Sequence, residues 1–156
     1  MMHRKFLQQA VALAKENVQN LSGGPFAAII CQDQRIIAAC TNIVTVSNDP
    51  TAHAEVTAIR QACKILNTFQ LSDCILYSSC EPCPMCLGAI YWARLKQVYF
   101  ACDRFDAAKV GFDDSFIYDE IAIQPEQRKI PMQHIELSTA LSPFIAWQTQ
   151  ANKIPY

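Results

Sequence analysis

Charge is scarce in this chain. Only 17% of its 156 residues are Asp, Glu, Lys or Arg, while 51% are hydrophobic. That balance excludes a disordered chain, which needs low hydrophobicity and high net charge. The formal net charge is -1, and Lys and Arg form no cluster. The electrostatic footprint of a nucleic-acid partner is therefore missing. Long hydrophobic runs are missing too: no stretch approaches the roughly 20 apolar residues that cross a bilayer. The N-terminal segment "MMHRKFLQQAVALAKENVQ" opens with positive charge, as a signal peptide does, but Gln8, Gln9, Lys15 and Glu16 interrupt any apolar core. These absences lead us to expect a cytoplasmic protein with neither a nucleic-acid nor a membrane partner. Repeats, low-complexity tracts and composition shifts are also absent, so residues 1–156 are expected to form a single domain.

Cysteine is abundant, with eight in the chain. Without a secretion signal their default state is the free thiol. Cys31, Cys40, Cys63, Cys74 and Cys102 sit singly among apolar residues and read as small core hydrophobes. Cys80, Cys83 and Cys86 fall within seven positions, "CEPCPMC", and need another explanation.

The patterning alternates helix and strand. The N-terminal segment reads as an amphipathic helix with Phe6, Val11 (or Ala10), Leu13 and Val18 on one side. "SGGPFAAII" and "RIIAACTNIV", joined by the polar "CQDQ", read as a strand hairpin. After the breaker Pro50, Val56, Ile59, Cys63 and Leu66 recur at helical spacing. "DCILYSS" reads as a buried strand, "CPMCLGAIYWARL" as a helix with Pro84 in its first turn, and "QVYFAC" as another strand. Beyond residue 103 the signal weakens to a loop and short helix, a late strand or extended segment at "PMQHIEL", and a closing helix at "LSPFIAWQTQANK". Such alternation predicts an α/β sheet covered on both faces.

Two short motifs carry chemistry. "HAE" puts His53 and Glu55 at one helix start, and "PCPMC" puts Cys83 and Cys86 at another. Two cysteines three apart at a helix start bring their sulfurs to one side, where the helix dipole favours thiolates and a tetrahedral zinc ion finds two ligands. His53 supplies a third if the two helix starts face each other. A structural zinc site normally takes four protein ligands, but no second Cys-x-x-Cys follows, and His3 and His134 are isolated. Three ligands leave one position for water, whose pKa zinc lowers to about 7. Glu55, two residues from His53, is placed to hold and move that water's protons. A redox pair of thioredoxin type competes for the cysteines alone. The joint pattern H-x-E followed by P-C-x-x-C is instead the signature of zinc deaminases. Cys80, at the end of the preceding strand, is not expected to be a ligand.

The segments "GGPFAAII", "SNDPTAHAEVTAIR", "SSCEPCPMCLGAIYWAR" and "GFDDSFIYDEI", with the ending "LSPFIAWQTQANKIPY", resemble the bacterial guanine deaminases of the cytidine-deaminase superfamily. The likeness covers nearly the whole chain, with one departure at Ala27–Ala28, where relatives often carry a glycine. It implies a three-layer α/β/α sandwich around a mixed five-stranded sheet, and a homodimer in which the C-terminal helix and tail (about 140–156) exchange between subunits. It implies hydrolysis of guanine, a small purine base, to xanthine and ammonia. His53, Cys83 and Cys86 would hold one zinc ion per chain, with Glu55 as the proton shuttle and Asp114 as its catalytic companion. Phe26, Asn42, Ala54, Trp92, Asp114 and Tyr156 would contact the base. The chemistry agrees: an Asn amide pairs with a carbonyl and adjacent N–H together, and a carboxylate such as Asp114 accepts from an amino group. Phe26 and Trp92 suit either stacking on a purine or ordinary packing. The nearest rival is a tRNA-specific adenosine deaminase, which needs a basic surface that this chain lacks.

Overall fold

The computed structural model describes residues 2–156. The chain divides into two compact units, the first ending at Ser115 and the second running Phe116–Tyr156.

The first unit is built on a sheet ordered β2-β1-β3-β4. β1 (Ala27–Gln32) and β2 (Arg35–Thr41) form the hairpin, joined by Asp33 and Gln34, both at positive φ as a tight two-residue turn requires. β3 (Cys74–Cys80) lies antiparallel to β1 on its other side, and β4 (Gln97–Cys102) lies parallel to β3. The sheet is mixed, as expected, but has four strands rather than five. The segment 131–137, "PMQHIEL", is extended and exposed and joins no ladder among the described residues.

β1 is buried on both faces because its side chains alternate between two cores. Ala28 and Ile30 pack with Ala54, Ala58 and Ala62 of α3 (Ala54–Leu66) and with Ile90 of α4 (Pro84–Trp92). Ile29 and Cys31 pack with Tyr77 and with Phe6 and Ala10 of α1 (Met2–Gln19). These are the three layers of an α/β/α sandwich. The buried positions of α1 are Phe6, Ala10, Ala14 and Asn17; Val11 and Val18 are both 44% exposed. Small alanines let the helix approach the sheet closely, and the buried stripe turns through Asn17 because a polar side chain is wanted there. Among the isolated cysteines, Cys31 and Cys74 are buried, Cys40 and Cys63 are partly so, and Cys102 on the edge strand is exposed, against expectation.

A short helix α2 (Val44–Ser47) follows β2, and α5 (Arg104–Ala108) follows β4 with an Asp103–Asp106 capping box at its start. α6 (Ser115–Ala122) opens under Asp113, whose carboxylate accepts from the Ser115 N–H at 2.9 Å. The second unit holds the rest of α6, a turn at Pro125–Gln127, and α7 (Ser142–Thr149). Within it the Lys129 N–H donates to the Glu120 carboxylate, and the Tyr156 ring meets the edge of Trp147.

Candidate active site

Two helices begin at one end of the sheet, and their first residues meet there. β3 ends at Cys80, and the chain passes through Glu81 and Pro82 to Cys83, the N-cap of α4. His53 is the N-cap of α3. The His53 side chain makes no bond back to its own helix, and Cys83 is bonded within α4 to Cys86, the other thiol of the motif, so imidazole and thiols meet one another. His53 Nδ1 lies 3.5 Å from Cys83 Sγ and 3.6 Å from Cys86 Sγ. Zinc bonds of about 2.3 Å to sulfur and about 2.0 Å to nitrogen, at a tetrahedral angle, separate such donors by about 3.5 Å. The donor set therefore fits zinc, and its three ligand atoms form one group within 4.8 Å.

The group is also protonically primed. Cys83 is held well below the ordinary thiol range, first by the hydrogen bond from Cys86 and also by His53. The same bond and burial push Cys86 up, and His53 is raised first by its bond to Cys83. A divalent cation entering here displaces the protons the group shares. Cys80 stays outside it: burial, then the neighbouring Cys102, lift its thiol to about 11, and its S–H points to the Asp103 carbonyl.

Glu55 sits in the first turn of α3 and is only 5% exposed. Its Oε1 accepts from Ser78 Oγ at 2.9 Å and its Oε2 from Cys86 Sγ at 3.4 Å. Burial raises its pKa, against which those two bonds work. A carboxyl so placed exchanges protons readily with a neighbour. Ser78 was not anticipated from the sequence; the signal is a polar interruption in the apolar run "CILYSSC" of β3.

A cavity of about 430 Å³ opens above this group, with His53, Glu55 and Cys83 in its wall. Of the expected base contacts it brings in Phe26, Asn42 and Asp114, and it adds Gly24, Glu81, Arg104 and Phe112, which sequence reasoning missed. Phe26 meets Phe112 edge-on at 4.9 Å and 89°. Asp114 Oδ1 is buried with no hydrogen-bond partner among the described residues, and burial raises the carboxyl's pKa. Its neighbour Asp113 is spent capping α6, which separates the roles of the two adjacent acids. Asn42 differs from the two-way pairing expected of it. Its Oδ1 already accepts from the N–H groups of Gly24 and Val44, at 3.4 and 3.3 Å, so its amide offers the cavity an NH₂ donor. Ala54 is fully buried in the core beside α4, and Trp92, 68% exposed at the end of α4, is not in the cavity wall. Tyr156 belongs to the second unit.

A helix-start His/Cys/Cys group with a buried glutamate, at the end of a mixed sheet, defines a class. Residues 1–102 match the cytidine and deoxycytidylate deaminase zinc-binding region, and the chain belongs to that family. Within it, the chain is 61% identical to guanine deaminase of Bacillus subtilis, over the full length of both proteins. The X-ray structure of guanine deaminase from Bacillus subtilis superposes with a TM-score of 0.98, covering 100% of this chain and 99% of that one. A tRNA-specific adenosine deaminase of Haemophilus influenzae is 35% identical over 70% of this chain and 66% of its own length.

Proposed function

We propose that this chain hydrolyses guanine to xanthine and ammonia. The full-length 61% identity to a guanine deaminase carries the reading, and a site of matching chemistry stands behind it. His53, Cys83 and Cys86 hold one zinc ion per chain, which supplies the Lewis acidity that makes water a nucleophile at neutral pH. Glu55 moves protons between water, ring nitrogen and departing amine. Asp114 turns its unpartnered oxygen to the exocyclic amine, the group that leaves as ammonia. Asn42 donates to an acceptor on the base, and Phe26 packs on the purine face.

The whole of 1–156 functions as one deaminase domain. In a homodimer the segment of about 140–156 crosses to the partner, and Trp92 and Tyr156 complete the pocket only after that assembly. The support is exposure: Trp92, Phe144, Ile145 and Trp147 lie 68%, 67%, 57% and 41% open in the single chain, and large apolar side chains so exposed suit a surface that a partner covers. A cytoplasmic location fits eight free thiols, and no described helix is long and apolar enough to cross a membrane.

The test is ammonia release by the zinc-loaded protein on guanine, guanosine, adenine, cytosine and tRNA. Guanine is the expected substrate, with xanthine as product. Turnover of tRNA with guanine left untouched would overturn the reading.

A further inference from the structure

Asn17 is a polar residue on the buried side of α1, only 5% exposed, outside the cavity wall. An asparagine near a helix end ordinarily serves that helix's own terminus. Here the side chain reaches away instead. Nδ2 donates to the carbonyl of Gly24 and to that of Asn42, each at 2.9 Å, so both of its hydrogens are used on backbone in the cavity wall.

Those two carbonyls belong to one small assembly. The Gly24 carbonyl also accepts from the Phe26 N–H, and the Phe26 carbonyl accepts from the Asn42 N–H, both at 2.9 Å. The Gly24 N–H in turn donates to Asn42 Oδ1. Gly23, at φ +155, lets the chain pass directly against the Asn42 carbonyl, where a Cβ would collide. Asn17 is the member of this assembly that comes from another layer of the fold. Without Asn17 the Gly24 carbonyl keeps the Phe26 N–H, but the buried Asn42 carbonyl loses the donor it has here and pulls its segment toward water or another donor. Asn42 would then lose the orientation that turns its NH₂ to the cavity.

We infer that Asn17 is a positioning residue for base recognition, holding Gly24 and Asn42 so that the Asn42 amide presents a fixed donor to the substrate. The inference rests on the reading that Asn42 contacts the base. A donor that binds ground state and transition state alike changes KM and spares kcat.

The experiment measures guanine kinetics and zinc content for Asn17→Leu, Asn17→Asp, Asn42→Ala and the Asn17→Leu/Asn42→Ala double variant. Asn17→Leu removes both donors at similar size; Asn17→Asp keeps the shape and sets a carboxylate against two carbonyl oxygens. Each is expected to raise KM about tenfold with kcat within about twofold and one zinc retained. Should Asn17→Leu fold poorly, Asn17→Asp carries the kinetic comparison and replaces it in the double variant. The double variant is expected to be no worse than Asn42→Ala alone, since the lost function is shared. Parental KM in a folded, zinc-loaded Asn17 variant would overturn the inference, as would full additivity in the double variant. Parental KM in Asn42→Ala would instead remove the underlying reading of Asn42, and this inference with it.

Discussion

At the scale of single residues, the proposed function assigns holding a metal and moving a proton to different side chains. Glu55 is held by Ser78 and Cys86 beside the ligand group but is not a member of it. Glu55→Gln keeps shape and loses the proton acceptor. Zinc content should stay at one per chain while kcat falls by about 10² to 10⁴, the usual worth of general acid–base catalysis. Normal guanine turnover by the zinc-loaded variant would exclude Glu55 as the shuttle. Asp114 makes a second residue-scale case, because an oxygen buried without a partner is costly unless a ligand uses it. Asp114→Asn should lower kcat/KM for guanine by about 10-fold or more, with folding and zinc unchanged. Equal efficiency in parent and variant would return Asp114 to an ordinary loop acid.

At the scale of elements, the site depends on α3 and α4 starting side by side. Their N-caps, His53 and Cys83, meet side chain to side chain, so a metal bound there would join two elements of one core. Cys83→Ala should therefore lose stoichiometric zinc, and chelation of the parent should lower its melting temperature. The stabilisation by bound ion follows RT ln(1 + [L]/Kd), about 2.7 kcal/mol at a hundredfold excess over Kd. Retention of one zinc by Cys83→Ala would remove that residue from the ligand set. The Gly23–Gly24 turn is the other critical element. Gly23→Ala meets both the Asn42 carbonyl and an unfavourable φ, so it should cost about 1–3 kcal/mol, read as a lower urea midpoint. An unshifted midpoint would mean the turn relaxes freely.

At the scale of the whole molecule, the second unit exposes Phe144, Ile145 and Tyr156, a composition suited to a covered surface. Light scattering should give the mass of two chains. On the proposed assembly, deleting residues 154–156 should leave zinc and folding intact while lowering kcat/KM for guanine, because a tail closing the pocket would exclude water from the chemistry. Unchanged kinetics after the deletion would make the tail passive.

The residues of the His/Cys/Cys group, the glutamate beside them and the order of the main helices and strands were legible in the sequence because each depends on neighbours in the chain. H-x-E and Cys-x-x-Cys lie within one helical turn, and apolar periodicity reports each element's buried side. Interactions at long separation were decided by the tertiary structure. His53 and Cys83 are 30 residues apart, and only the packing of α3 beside α4 makes them one group. Hydrophobicity favoured Val11 and Val18 on α1, but the close approach of helix to sheet selects Ala10, and two backbone carbonyls select Asn17. "PMQHIEL" has a strand's composition without a described ladder partner, and composition alone does not form a ladder. Asn42 could be identified as a polar residue at a strand end, but its direction depends on which backbone N–H groups the fold brings to its oxygen. A side chain's type is written locally; its partner is set by whatever distant backbone the fold brings within about 3 Å.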